Sequence, residues 1–260
     1  TIGKKNSNLT IKRHEYLGNF QKVEIEFNKK KYSFTTSLIG KIQIKNLLFS
    51  ILAASKSKIK FNKIIKSIKD IKPVEGRLEN VGTIRNNSKV ILDYAHTPDA
   101  LKCTLQSIKE QFNLSSISIV FGCGGNRDKA KRPMMGKIVN QYCNKIFLTD
   151  DNPRYENPKK IRNQIKSKID KSKLTEIGSR KKAIKTAIEN LNSGNILLVA
   201  GKGHEIYQEY KGKKKIFSDK KCILREINLK NKNFFKNWKA NILNEKCNLA
   251  SVSKKLKINK

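Results

Sequence analysis

The spacing of apolar and polar positions changes along this chain, and the changes divide it. In residues 20–36, Val23, Ile25 and Phe27 alternate with polar neighbours, Asn28-Lys29-Lys30 interrupts, and Tyr32 and Phe34 resume the alternation. Period two on both sides of a polar turn predicts a β-hairpin. Residues 42–55 place Ile44, Leu47, Leu48, Ile51 and Leu52 on one helical face. Residues 60–71 predict a second helix through Ile64, Ile65, Ile68 and Ile71. Pro73 ends it and opens a linker, Pro73-Val74-Glu75-Gly76-Arg77. A boundary is expected there, giving segments 1–75, 76–227 and 228–260.

After about residue 80 the pattern alternates between strand and helix. Val90-Ile91-Leu92 suits a buried parallel strand. Thr97 reads as an N-cap with Pro98 at the first helical position. Ile117–Phe121, Ile146–Leu148 and Ile196–Ala200 predict further strands, with a weak one near 174–177. Helices are expected from Pro133 to about Cys143, near 158–170 and near 179–192. A hairpin near 206–217 and a helix from Ser218 follow. This order predicts an α/β fold, a Rossmann-like open and mostly parallel sheet, preceded by the end of another α/β domain. Residues 228–260, rich in Lys and Asn, read as a poorly ordered or weakly helical tail.

Composition then narrows the functional classes. The chain has 260 residues and a formal net charge of +36, which invites a nucleic-acid reading. Only nine of the 57 cationic residues are Arg, and Lys is spread throughout. Base and phosphate recognition favours the Arg fork, so a specific nucleic-acid partner is not expected. No apolar run of about 18 residues exists, so no membrane insertion is expected. Five Cys without CxxC spacing point to reduced thiols in a cytoplasmic protein, with neither zinc nor disulfides.

Each predicted strand runs into a polar loop marked by Gly or Pro. The loops are Asp93-Tyr94-Ala95-His96-Thr97-Pro98-Asp99, Gly122–Asp128, Thr149–Arg154 and Gly201-Lys202-Gly203-His204-Glu205. Open α/β sheets bind ligands at the carboxyl ends of their strands. Singly, each loop has a plain structural reading: a tight turn at Gly122–Gly125, a turn or N-cap at Asp151–Arg154, a helix start at His96. Likewise Arg132 reads as a local helix-start pair, and His204 as orienting its loop. Together, the four loops make a site.

The segments DYAHTPD, FGCGGNRDKAKRP, DDNPR and AGKGHE resemble the C-terminal domain of the Mur ligases, in particular the diaminopimelate-adding members. Upstream, GRLE at Gly76–Glu79 and LIGKIQIKNLL at Leu38–Leu48 resemble the end of that family's central, ATP-binding domain. The likeness covers about residues 20–227. It implies an ATP-dependent amide ligase acting on a UDP-linked muramoyl dipeptide through an acyl phosphate, with meso-diaminopimelate as the incoming amino acid. It assigns Arg127, Asp151, Asn152, Pro153, Arg154, Gly201 and Glu205 to the amino acid. Arg154 takes the distal carboxylate, Arg127 makes a second carboxylate contact, and the Asn152 amide oxygen and Glu205 take the distal ammonium. It assigns Asn46, Arg77, Asp93 and His96 to ATP, although Ile42 and Gln43 stand where the family has an aromatic residue and Asn.

No G-x-x-x-x-G-K-[ST] loop occurs in these residues. The resemblance implies that this loop, a carbamylated lysine, the Mg²⁺ ligands and the UDP-binding domain lie upstream of Thr1, so that no catalytic or metal residue falls in this stretch and it does not ligate alone. A monomer is expected. Two alternatives stay open at this point: a Mur-type ligase adding lysine or a dipeptide, and a basic nucleic-acid-binding module.

Overall fold

In the computed structural model, which describes residues 2–3 and 7–235, two hydrophobic cores form on either side of the Pro73 linker. The first is built on strands β1 (Ile2–Gly3), β2 (Leu9–Leu17), β3 (Phe20–Phe27) and β4 (Lys30–Thr36), paired in that order. Asn28 and Lys29 both take positive φ, +50° and +62°, as a two-residue hairpin turn between β3 and β4 requires. The predicted turn therefore closes one residue early, with Lys30 already paired to Phe27. Helices α1 (Gly40–Ala54) and α2 (Phe61–Ser67), followed by a 3-10 turn at Ile68–Asp70, cover one face. Val23, Ile25 and Phe34 meet Ile44, Leu47, Leu48 and Ile51 there. Strand β2 was not expected, because Leu9 is its only fully buried side chain and its alternation is broken by a bulge between Ile11 and Arg13.

The second core surrounds a six-stranded sheet. Its strands are β5 (Glu79–Thr83), β6 (Lys89–Asp93), β7 (Ile117–Phe121), β8 (Lys145–Leu148), β9 (Leu174–Glu176) and β10 (Ile196–Ala200). They lie in the order β5-β6-β10-β7-β8-β9, and all neighbours are parallel except β5 with β6. Successive side chains face opposite layers. Ile91, Ile119, Phe121 and Leu198 pack under helices α3 (Pro98–Gln111), α4 (Lys131–Tyr142) and α5 (Pro158–Lys166). Val90, Leu92, Val120 and Leu197 pack under α6 (Arg180–Glu189) and α7, the last helix of the described residues, spanning 219–235. Strands β11 (Tyr207–Tyr210) and β12 (Lys213–Ile216) form the expected hairpin. Thr97 caps α3 by accepting from Ala100 N at 3.3 Å, with Pro98 in the first turn.

The two cores dock at α3. Ile39 inserts into the second core. Gly40 N donates to Gln111 Oε1 at 3.0 Å, and Gln111 Nε2 donates to Gly18 O at 3.1 Å. Gly40 has φ +80°, and a Cβ there would lie 2.6 Å from Ser107 Cβ, so this junction needs a glycine.

The expected tail boundary at 227 falls inside α7. Lys230 Nζ donates to the carbonyls of Ile188 and Glu189 in the last turn of α6 and of Leu191 just past it, at 2.7, 3.1 and 2.8 Å. Arg85 N donates to Asn231 Oδ1 at 2.9 Å. Polar anchors hold this stretch, and polar anchors leave no apolar period in the sequence. Residues 236–260, including Trp238, lie outside the described residues.

A fully buried ion pair joins α6 to the first turn of α7. Arg180 Nε and Nη2 donate to Asp219 Oδ1 and Oδ2 at 2.8 and 2.7 Å, and Nη2 also reaches Ala200 O at 2.9 Å. Removing one member strands a buried charge. Asp219→Ala is expected to lower the unfolding free energy by about 3–5 kcal/mol in urea titrations. Lys220→Ala, which breaks partly exposed pairs with Glu75 and Glu79, should cost about 1 kcal/mol.

Candidate functional site

Strands β6, β10, β7 and β8 are consecutive neighbours and run parallel, so their carboxyl ends share one edge. The four polar loops therefore meet around a cleft of about 740 Å³. Arg127, Asp151, Asn152, Arg154, Gly201 and Glu205 line it. Pro153 does not; it is buried behind the wall, its carbonyl pressed toward Gly125. Tyr94, Lys131 and Tyr207 line the cleft as well, and sequence reasoning had not singled them out.

The loops after β7 and β8 are held at backbone contact distance. Gly125 N donates to Asn152 O at 2.9 Å. A Cβ on Gly125 would fall 1.9 Å from Pro153 O, and one on Gly122 would fall 2.2 Å from Thr149 O. Arg132, read from sequence as a local helix-start pair, instead staples these loops from a fully buried position. It donates to Glu156 Oε2 and Oε1 at 2.9 and 3.0 Å, to Gln164 Oε1 at 2.6 Å and to Gly124 O at 3.1 Å. Glu156 in turn accepts from Asn126 N at 2.6 Å.

Arg154 sits at the end of this wall in the left-handed region, φ +53°, which is strained for a long side chain. The hairpin after the last loop enforces it. Arg154 N donates to Glu209 O at 3.1 Å, and Lys211 N donates to Arg154 O at 2.6 Å. Its Nη1 donates to Gly125 O at 2.8 Å, and its Nε lies 3.6 Å from Glu209 Oε2. The guanidinium is thus oriented before any ligand arrives. Arg127 is exposed at the rim.

In the same loop as Arg154, Asn152 differs from its expected role. Its amide oxygen already accepts from Lys202 Nζ at 3.1 Å and from Glu209 N at 3.0 Å. Its amide nitrogen donates to Glu205 Oε2 at 3.0 Å. Lys202 Nζ also donates to Glu205 Oε2, at 2.8 Å, from a fully buried side chain. A lysine in a lysine-rich chain carries no compositional signal that would set Lys202 apart. Gly201 has φ +109°, and a Cβ there would lie 2.9 Å from Asp151 Oδ2. Burial pushes the Asp151 carboxyl above its usual range, against the pull of Arg180 and Lys202.

A second cavity of about 480 Å³ adjoins the first and gathers Asn46, Arg77, Asp93 and His96. The two share Tyr94 and His96. The Arg77 guanidinium lies 4.5 Å from the Tyr94 ring centroid, and the His96 ring packs edge-on to Tyr94 at 4.7 Å. Asp93 is buried and accepts from Leu78 N at 2.8 Å, Ala95 N at 2.9 Å and Thr104 Oγ1 at 3.0 Å. Burial raises its pKa. Gln43 Nε2, at one of the positions that depart from the family pattern, donates to Arg77 O at 3.0 Å.

Among the described residues no group of three or more His, Cys, Asp or Glu could hold a metal ion. Cys123, beside the cleft, is buried and its thiol is pushed up to about 12, so it stays a protonated, inert thiol.

Residues 76–203 match the family model described as Mur ligase, glutamate ligase domain. The chain is 43% identical over 233 residues to a UDP-N-acetylmuramoyl-L-alanyl-D-glutamate--2,6-diaminopimelate ligase of Rickettsia felis, covering 89% of this chain and 43% of that one. It is 41% identical over 227 residues to the ligase of the same name from Chelativorans sp., covering 87% and 46%. The chain thus spans about half the length of the curated relatives it matches. A solved structure of a ligase of that name superposes with a TM-score of 0.67 at 30% identity, covering 86% of this chain and 46% of that one. The UDP-N-acetylmuramate-alanine ligase MurC of Thermotoga maritima superposes at 0.59 with 19% identity, covering 93% and 48%, a likeness of fold.

Two outcomes test the geometry of the wall. Gly125→Ala is expected to destabilise the protein by about 1–3 kcal/mol or more in urea titrations, since the Pro153 carbonyl must move. Hydrogen bonds from Arg132 hold Glu156 down at about 2, against a usual 4.5. A depressed carboxyl contributes stability above its unfolded pKa and loses it as pH falls through the folded one. Between about pH 4.5 and 2, Glu156→Gln should therefore flatten the acid loss of stability; an unchanged slope would count against the Arg132 staple.

Proposed function

Since the chain belongs to the Mur ligase family, we propose that it provides the amino-acid-binding part of an ATP-dependent ligase joining meso-diaminopimelate to the D-glutamate of a UDP-linked muramoyl dipeptide. The observation that carries this reading is the pair of adjoining cavities that share Tyr94 and His96. One is lined by cations and carboxylates suited to a zwitterion; the other has the dimensions and the cation–aromatic stack suited to a nucleotide.

In the first cavity, Arg154 offers its fork to the distal carboxylate, and Arg127 makes a second carboxylate contact from the rim. Glu205 takes the distal ammonium through the oxygen not bonded to Lys202 and Asn152. Asp151 and Gly201 set how closely that end can approach. In the second, Arg77 neutralises phosphate charge, His96 packs beside the base, and Asn46 and Asp93 line the sugar side. Asp93 has lone pairs left for a ribose hydroxyl beyond its three protein donors. ATP supplies the phosphoryl group that activates the glutamate carboxyl. The cleft's own task is to hold the amine close and aligned for attack, which is worth several kcal/mol of barrier. No Mg²⁺ step is assigned to these residues, because the described carboxylates do not converge on a metal site. The reading includes a cytoplasmic monomer. No helix among the described residues is long and apolar enough to cross a membrane.

Calorimetric titration of the chain with meso-diaminopimelate and with L-lysine tests the proposal. Diaminopimelate should bind more tightly, and Arg154→Ala should weaken it by about 2–4 kcal/mol while barely changing lysine. Equal binding of the two amino acids, unaffected by the substitution, would replace this reading with a lysine-adding one.

A further inference from the structure

Lys202 has no task in the reading above, yet it occupies the place where an ammonium ligand is expected. Its side chain is fully buried, with Nζ 2.8 Å from Glu205 Oε2, 3.1 Å from Asn152 Oδ1 and 5.6 Å from the centroid of the cleft-lining Tyr207 ring. A buried ammonium is costly unless it is paired and hydrogen-bonded, so this contact is a fixed part of the wall. One oxygen of Glu205 is committed to it and to the Asn152 amide. Asn152 itself is locked from the other side by Glu209 N.

This arrangement changes what the cleft selects. A lone carboxylate would attract any primary ammonium. Glu205 paired with Lys202 is close to neutral, and of the other charged groups lining the cleft the cations Arg127, Lys131 and Arg154 outnumber the carboxylates Asp128 and Asp151. An ammonium arriving alone gains little from Glu205 and meets a lining in which cations are in excess. An ammonium arriving with a carboxylate beside it satisfies both sides at once.

We propose that Lys202 is a specificity-determining positioning residue: its resident ammonium on Glu205 makes the cleft favour a diamino acid with a carboxylate beside its distal ammonium over one with the ammonium alone. The inference rests on the reading of the cleft as an amino-acid site and adds a residue and a selection rule to it.

Calorimetry on the full 260-residue chain tests it, with meso-diaminopimelate and L-lysine as the probes and thermal unfolding run alongside. Lys202→Met is expected to shrink the ratio of the two affinities at least tenfold, weakening diaminopimelate and strengthening lysine. Lys202→Arg, which keeps the charge, should restore most of the ratio. In a Glu205→Gln background, Lys202→Met should add little, because the effect runs through Glu205. If the Met variant does not fold, Lys202→Gln keeps a hydrogen-bond donor without the charge, and the same ratio is read. A role confined to structure would lower the unfolding temperature and weaken both ligands alike; an unchanged ratio in the folded variants overturns the proposal. A wild-type chain that binds neither amino acid overturns the amino-acid reading, and one that binds both alike overturns the preference for diaminopimelate; each is distinguishable from an unchanged ratio in the Lys202 variants.

Discussion

The close approach of two backbone loops at Gly125 and Pro153 is the constraint on which the rest of the site depends. Strands β7 and β8 are neighbours, so the loops leaving their carboxyl ends compete for the same space. They coexist because Gly122 and Gly125 have no Cβ where Thr149 and Pro153 carbonyls lie. Arg132 then ties the pair from below through Glu156 and the Gly124 carbonyl. Only with the loops at that spacing can Arg154 reach across to Gly125 O and stand oriented at the cleft. The conformation of Arg154 is strained, and the hairpin's hydrogen bonds on both sides of it hold that strain in place.

The electrostatics follow a division of labour between the two cations. Lys is spread over the surface, whereas Arg is scarce and several of the nine sit where a planar fork is needed. Arg132 forks onto Glu156 and Arg180 onto Asp219, both from fully buried positions. Arg162 bridges Asp150 and Glu176 along the same sheet edge. Arg154 spans Gly125 and Glu209. The net charge of +36 therefore says little about the partner; the few guanidinium groups at strand ends say more. Lys202 breaks the pattern as a buried lysine on the site's carboxylate, and a compact point charge on a flexible stem is what fits between an amide oxygen and a carboxylate there.

Much of the fold was legible because buried parallel strands write themselves as short apolar runs. Ile117–Phe121 and Ile196–Ala200 are strands over those same residues. Thr97-Pro98 caps its helix as read. What escaped were the edge strands β1 and β5 and two elements held by polar contacts: β2, with one fully buried side chain, and the end of α7, anchored by Lys230 and Asn231. Neither leaves an apolar period to detect.

By itself the sequence determined the alternation of strands and helices, the placing of polar loops after the strands, and the likeness to a ligase family. Those features are local: they follow from side-chain period, cap chemistry and short motifs. The tertiary structure decided which loops became neighbours, since β10 inserts between β6 and β7 and brings Glu205 and Lys202 beside Asn152, about fifty residues away in the chain. It also decided that Arg132 is a staple, that Pro153 stands behind the wall, and that the oxygen of Asn152 is already taken. Pairings of that kind depend on strand order and on burial, and a linear pattern of residues does not encode which buried charge will face which.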